Sequence, residues 1–408
     1  MSITVSHPSK IIKGVIHLTS SKSESNRALI IQALCKDPFS IENLSISNDT
    51  VVLKSLLNSQ ESELSVNLAG TAMRFLTAYL SIQNKEVVLT GAQRMKERPI
   101  KVLVDVLRQM GAEICYEEDD GYPPLKILGK KLFGEKVLID GGISSQYISA
   151  LLMIAPKLEK GLVLEFKGET ISKPYINMTI EMMCYFGAEV QWRENSIIVG
   201  SGNYKAKDFK VEADWSAASY WYSIVALAKD ADITLFGLKE ESLQGDSVVQ
   251  EIYKNFGVET AFVEGGVRLT KKCNPQPIEG TILKINFVNC PDIAQTVAVT
   301  CAALNVKARL LGLKTLRIKE TDRILALEKE LTKLGFSIDI EGDDIIINPI
   351  ERTITVFNQS VETYDDHRMA MAFAPLALQD SITIEDKSVV AKSYPKFWRD
   401  LELIGFGN

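Results

Sequence analysis

Histidine is scarce: His7, His17 and His367 are the whole supply. With no H-E-x-x-H and no paired Cys/His set, nothing has the ligand spacing of a zinc site. The six cysteines, Cys35, Cys115, Cys184, Cys273, Cys290 and Cys301, include no C-x-x-C. No secretory signal precedes them, so they read as reduced, mostly buried thiols. The opening residues M-S-I-T-V-S-H-P-S-K lack an apolar core of signal-peptide length, and no apolar run is long enough to span a bilayer; the expected location is the cytoplasm. An excess of positive charge is also missing. Lys and Arg number 46 against 52 Asp and Glu, for a formal net charge of -6. Bulk electrostatics will therefore not draw the chain to nucleic acid. Any polyanion site has to be a local concentration of Lys and Arg.

What is present is repetition. The 408 residues are 46% hydrophobic and 24% charged, an ordinary globular composition long enough for two domains. A short β-rich run recurs six times, at 39–45, 86–92, 162–168, 232–238, 307–313 and 381–386. Each is followed by a polar loop and an amphipathic stretch. Four of these stretches end alike, in Q-M-G-A-E-I, Y-F-G-A-E-V, N-F-G-V-E-T and K-L-G-F-S-I, with Gly111, Gly187, Gly257 and Gly335 at equivalent places. A glycine there ends the helix in a left-handed turn, and two strands with a turn between them follow. Apolar segments such as 144–156, 216–228, 291–304 and 367–378 supply a second helix per repeat, apolar nearly all round and therefore buried. The predicted fold is α/β (α+β). It has two domains of three βαβαββ units each, pseudo-threefold, with helices inside and sheets outside. The boundaries are 1–20 plus 213–408 for one domain and 21–212 for the other.

The loops entering helices carry the chemistry. S-S-K-S-E-S-N-R-A-L (20–29) places Lys22 and Arg27 beside hydroxyls, with Ser23 and Ser25 as N-cap candidates. Backbone N–H groups and the helix dipole favour an anion at such a start. R-M-K-E-R-P-I (94–100), I-S-K-P-Y (171–175), R-I-K-E-T-D-R (317–323), D-D-H-R-M-A-M-A (365–372) and A-K-S-Y-P (391–395) repeat the theme. Singly, each fits a solvated helix start. In equivalent positions of a repeated fold they can converge on one cleft. Arginine forks match phosphate and carboxylate oxygens, and Ser144, Ser145, Gln146 and Ser172 add neutral donors. The combination suits small phosphorylated metabolites, whereas nucleic acid would want a basic, aromatic-lined surface. Asp292 and Glu320, set among cations, are either general bases or paired structural ions.

These motifs in order, S-K-S-x-S-N-R-A-L, A-G-T-A-M-R-F-L, L-T-G-x-x-R-M-K-E-R-P-I, S-S-Q-Y, S-K-P-Y-I, P-D-I-A, K-E-T-D-R, D-D-H-R-M-A-M and A-K-S-Y-P-x-F, resemble the 5-enolpyruvylshikimate-3-phosphate synthase family from about Lys13 to Leu403. The resemblance implies transfer of the enolpyruvyl group of phosphoenolpyruvate to the 5-hydroxyl of shikimate 3-phosphate, with release of phosphate, in a cleft between the two domains. It implies no metal and no organic cofactor, two small-molecule substrates, no membrane or nucleic-acid partner, and a monomer. By position, Lys22, Ser23, Arg27, Ser144, Ser145, Gln146, Ser172, Tyr175, Asp292, Thr315 and Lys319 hold shikimate 3-phosphate. Lys22, Gly70, Thr71, Arg98, Gln146, Arg323, His367, Arg368 and Lys392 hold phosphoenolpyruvate. Lys22, Asp292 and Glu320 are the catalytic set, Asp292 taking the 5-hydroxyl proton and Glu320, with Lys22, serving the enol methylene.

The chain departs from the family pattern at Leu68, where members often carry Asn, and at Thr315, where many carry Asn or Ser. Leu68 beside Gly70 leaves the response to glyphosate open. Two rival readings remain. One is the related enolpyruvyl transferase acting on UDP-N-acetylglucosamine, which resembles K-N-A early and carries a loop cysteine that residues 91–100 here lack. The other is a non-catalytic RNA-phosphate-binding module of the same fold, which the acidic balance disfavours.

Overall fold

The structure, a computed structural model, describes residues 1–134, 136–272, 282–351, 357 and 359–407. The chain falls into two compact units, one contiguous over Ser21–Val211 and the other joining Met1–Ser20 to Glu212–Asn408.

In the contiguous unit, Glu63–Ser65, helix Gly70–Ser81, Glu86–Thr90, helix Lys101–Gln109, Glu113–Tyr116 and Leu125–Leu128 form one βαβαββ repeat. The first two strands lie parallel, Leu64 beside Leu89. The closing hairpin returns antiparallel, with Ile127 between Val87 and Ile114. A second sheet there has the same order, built from Lys136–Asp140, Leu162–Lys167, Ser196–Val199 and Val190–Arg193. The other unit has two more. One places Ile11–His17 beside Asp230–Phe236, Gly266–Lys271 and Val258–Val263; the other aligns Leu283–Asn286, Ala308–Leu311, Asp344–Asn348 and Ser337–Glu341. The first and last repeats are contracted to two-stranded sheets, Ile41–Glu42 with Phe209–Lys210 and Ile3–Val5 with Ile382–Ile384. In the first, helix Asn48–Leu57 leads directly to Glu63–Ser65, which leaves no chain for a hairpin.

Each repeat uses one apolar and one amphipathic helix. Trp215–Leu227 is buried except at Ser216 and Leu227, and Ser145–Ile154 except at Gln146. Lys101–Gln109 buries only Leu103, Val104, Val106 and Leu107. The four helix-ending glycines adopt positive φ: 95° at Gly111, 84° at Gly187, 74° at Gly257 and 95° at Gly335. A side chain there would be strained, which is why the signature repeats. Each unit has its own core, where a fully buried aliphatic side chain contributes about 1.5–3 kcal/mol. Hydroxyls between the apolar helices are paired within these cores. Thr300 Oγ1 donates to Ser223 Oγ at 2.8 Å, and Ser149 and Thr179 meet at 2.8 Å.

Two expectations are corrected. The first helix, Lys22–Leu34, is capped by Ser21, which accepts from Glu24 N; Ser23 and Ser25 lie inside it, and Ser25 Oγ accepts from Ser45 N. The cysteines are not mostly buried. Cys290 and Cys301 are, but Cys115 and Cys184 are exposed, because they occupy outward positions on a strand and an amphipathic helix; Cys273 lies outside the described residues. Among the described residues, no helix is long and apolar enough to cross a membrane.

The chain enters the second segment of the discontinuous unit through a buried carboxylate. Glu212 accepts from Trp215 Nε1 at 2.8 Å, Lys239 N at 2.9 Å, Ser242 Oγ at 2.6 Å and Gln244 Nε2 at 3.1 Å. Burial raises its pKa, and these donors oppose the shift. Glu212→Ala takes the acceptor from Trp215 Nε1, Lys239 N and Ser242 Oγ, while Gln244 Nε2 keeps its bond to Ala213 O at 2.7 Å; it is expected to lower stability by about 2–4 kcal/mol, read from denaturant midpoints. A change under about 0.5 kcal/mol would mean water replaces the carboxylate at no cost.

Candidate active site

In the contiguous unit the N-terminal halves of four helices come together. Arg27, on Lys22–Leu34, donates to Thr179 Oγ1 at 2.7 Å, Ser149 Oγ at 3.0 Å, Ser23 O at 2.9 Å and Tyr175 O at 3.2 Å. It thereby ties its helix to Ser145–Ile154 and Lys173–Tyr185. Gln146 Nε2 donates to Thr71 Oγ1 at 3.3 Å, which joins helix Gly70–Ser81. Helix starts favour an anion through their free N–H groups. Ser144 caps its helix through Gln146 N. Ser145 is buried and Tyr175 half-buried. Ser172 precedes Lys173–Tyr185 with φ 52°, a left-handed conformation that costs roughly 1–3 kcal/mol in a non-glycine residue and marks functional loops.

The cations here differ in what they can offer. Lys22 Nζ lies 3.1 Å from Asp49 Oδ2, at the start of helix Asn48–Leu57. Arg27 is buried with four hydrogen bonds to protein oxygens; burial lowers its pKa to about 10, so it stays charged at neutral pH. Arg98 lies against the start of Gly70–Ser81. A Cβ added to Gly70 would come within 2.7 Å of Arg98 Nη1, so a larger residue at 70 would displace the guanidinium from this position. A cation at the positive end of a helix dipole is unfavourable by itself, and an anion between them relieves it. Arg98 Nε is buried without a hydrogen-bond partner.

The discontinuous unit carries the second cluster, again on helix starts. Arg323 opens helix Arg323–Lys333 and is about 1% exposed. Its Nε is 2.7 Å from Asp366 Oδ2, its Nη2 3.0 Å from Glu320 Oε2 and its Nη1 3.3 Å from Asp292 Oδ1. Burial works against this guanidinium charge, but the carboxylates, Asp366 foremost, outweigh it and the net direction is upward. Lys392 Nζ meets Glu320 Oε1 at 2.8 Å, and Lys319 Nζ meets Asp292 Oδ1 at 3.4 Å. Arg368 Nη2 lies 3.0 Å from Asp292 Oδ2, and its Nη1 donates to Asp292 O at 2.8 Å. Burial lowers the Lys319 pKa, against the pull of Asp292. The cations are thus paired in advance, and an incoming anion competes with carboxylates already in place.

A family model described as EPSP synthase (3-phosphoshikimate 1-carboxyvinyltransferase) matches residues 51–401. A 3-phosphoshikimate 1-carboxyvinyltransferase of Bacteroides fragilis (strain YCH46) is 48% identical over 409 residues, covering 100% of this chain and 98% of that one. One of the same name from Histophilus somni (strain 2336) is 38% identical, covering 97% and 98%. The chain belongs to the EPSP synthase family. A solved EPSP synthase from Acinetobacter baumannii has the same fold, with a TM-score of 0.78 at 22% identity over 99% of this chain and 100% of that one.

Most of the residues singled out for an EPSP synthase stand in these two groups. His367 is buried behind its group, with Nδ1 3.6 Å from Asp366 Oδ1. The Thr315 hydroxyl is buried without a hydrogen-bond partner in the turn Lys314–Ile318. Several cations of the same motifs are engaged elsewhere. Arg94 pairs with Glu97, Lys96 with Glu118, and Arg317 with Asp322 and Asp343. Sequence reasoning missed Asp49 and Asp366. Asp366 stands in the quoted D-D-H-R as the acid directly before the helix, an N-cap signal that could have found it; Asp49 lies in the first turn of its helix, in S-N-D-T, with no neighbouring charge to mark it.

Proposed function

We propose that this member of the EPSP synthase family transfers the enolpyruvyl group of phosphoenolpyruvate to the 5-hydroxyl of shikimate 3-phosphate, giving 5-enolpyruvylshikimate 3-phosphate and phosphate. The observation that carries the reading is the placement of two carboxylates on one guanidinium. Asp292 and Glu320 both pair with Arg323, and each has its own lysine, Lys319 or Lys392. Addition to an enol phosphate needs one group to take the hydroxyl proton and another to deliver a proton to the methylene carbon. Asp292 takes the first role; Glu320, with Lys22, takes the second and later removes a proton during elimination. The oxocarbenium-like transition state, flanked by carboxylate and phosphate, is stabilised by fixed cations and acids that need not reorganise.

Shikimate 3-phosphate is assigned to Lys22, Ser23, Arg27, Ser144, Ser145, Gln146, Ser172, Tyr175, Asp292, Thr315 and Lys319. Phosphoenolpyruvate is assigned to Lys22, Gly70, Thr71, Arg98, Gln146, Arg323, His367, Arg368 and Lys392. No cofactor enters the scheme. The protein acts in the cytoplasm as a monomer without nucleic acid, consistent with its net charge of -6.

The deciding assay is phosphate release from phosphoenolpyruvate with shikimate 3-phosphate, with UDP-N-acetylglucosamine, or with neither. Release only with the sugar nucleotide would reverse the assignment. A narrower test concerns Arg98, whose guanidinium sits at the Gly70 helix start. Arg98→Ala is expected to raise KM for phosphoenolpyruvate by about 10–100-fold, the range of one charge-assisted contact, with far less effect on KM for shikimate 3-phosphate. Equal effects on both would mean the division of the site is drawn in the wrong place.

A further inference from the structure

Behind the proposed base Asp292 lies a second carboxyl group that no step above uses. Asp246, in the turn Gly245–Val248, is about 3% exposed. Ser216 Oγ donates a short hydrogen bond to its Oδ2. Arg368 Nη2 in turn donates to Ser216 Oγ at 3.4 Å, and the same guanidinium nitrogen lies 3.0 Å from Asp292 Oδ2. The chain of contacts is Asp246, Ser216, Arg368, Asp292. Ser216 is the polar break in an otherwise apolar first turn of Trp215–Leu227, which is where a hydroxyl must stand to make this bridge.

Resting on the enolpyruvyl-transfer reading, we infer that Asp246 is a positioning residue for the reaction. Through Ser216 it orients Arg368, and its charge state sets how much of that guanidinium's field remains for Asp292 and for an anionic substrate. When Asp246 is neutral, Arg368 serves Asp292 and the incoming anion. When it is ionised, a buried negative charge one hydroxyl away competes for the same cation. The groups facing Asp246 are Asp214 and Ser216 from the start of Trp215–Leu227, Cys290 and Asp292 from the turn before Ala294–Ala303, and Arg368 from His367–Phe373. Burial, helped by Asp292, pushes the Asp246 pKa up to about 7, while Ser216 and Arg368 pull it down.

A carboxyl group whose folded-state pKa lies above its unfolded value leaves the folded protein holding the extra proton, so stability falls as pH rises from the unfolded pKa to the folded one. Wild type is therefore expected to lose stability relative to Asp246→Asn between about pH 4 and pH 7, with no further difference above. The kinetic expectation is separate. The ratio of wild-type to Asp246→Asn kcat/KM for phosphoenolpyruvate should fall by about tenfold from pH 6 to pH 8.5, because only wild type acquires the competing charge. Taking the ratio removes the titration of phosphoenolpyruvate itself. Ser216→Ala, which cuts the bridge and leaves both charges, should show a shallower fall and a raised KM for phosphoenolpyruvate at pH 6. A stability difference that is flat from pH 4 to pH 8, or superimposable pH profiles for all three proteins, would overturn the inference. Absence of turnover by wild type with either acceptor would instead count against enolpyruvyl transfer, and the stability titration would still decide the state of Asp246.

Discussion

Glu320→Gln is expected to lower kcat by about 10²–10⁴-fold, the range over which a positioned general acid–base group acts, without raising KM for phosphoenolpyruvate. What matters is what glutamine keeps and loses. It keeps the shape of a side chain only 14% exposed, between Lys392 at 2.8 Å and Arg323 at 3.0 Å. It cannot exchange a proton with the enol methylene. It also frees Lys392 and Arg323 from a competing negative charge, so ground-state binding of an anion should hold or tighten. A fall in kcat with KM steady or reduced is the pattern for an interaction made in the transition state alone. Steady-state kinetics with each substrate varied in turn will show it. Near wild-type kcat would remove Glu320 from proton transfer and leave it as a structural counterion.

Asp366→Ala is expected to destabilise the discontinuous unit by about 3–5 kcal/mol, the cost of stranding a buried charge. Asp366 is wholly buried and holds Arg323 at 2.7 Å and 3.3 Å, while its Oδ1 caps helix His367–Phe373 through Arg368 N at 2.8 Å. Truncation therefore removes a counterion from Arg323 and a cap worth about 1 kcal/mol. Denaturation followed by the fluorescence of Trp215, Trp221 and Trp398 reports on this unit. Asp366→Asn, which retains a side-chain oxygen for the cap, should recover only the smaller part. Equal stability of wild type and the alanine variant would show that Glu320 and Asp292 alone satisfy Arg323.

The repeat architecture was legible because its signals are local. Gly111, Gly187, Gly257 and Gly335 each close a helix on the residues just before them, and the β-rich runs fall on the strands Glu86–Thr90, Leu162–Lys167, Asp230–Phe236 and Ala308–Leu311. The contraction of the last repeat was not legible, since its strand Ile382–Ile384 pairs with Ile3–Val5 at the far end of the chain. The same division holds at the candidate site. Lys22, Arg98, Glu320, Arg323 and Arg368 stood out as charges at helix starts. Their partners did not: Asp49 is chosen by Lys22 across 27 residues, and Ser216 reaches Asp246 across 30. Arg27 illustrates the converse, a conspicuous cation whose hydrogen bonds are spent on tying three helices together.

The pairing of Ile11–His17 with Asp230–Phe236 sets a timetable for synthesis. The earlier strand leaves the ribosome first, yet its neighbour is translated roughly 220 residues later, a wait of about 10–40 s at ordinary elongation rates. During that interval Ser21–Val211 emerges entire and holds a complete core of its own. A nascent chain halted only once residue 211 has cleared the ribosome should therefore carry one protease-resistant body preceded by a digestible stub.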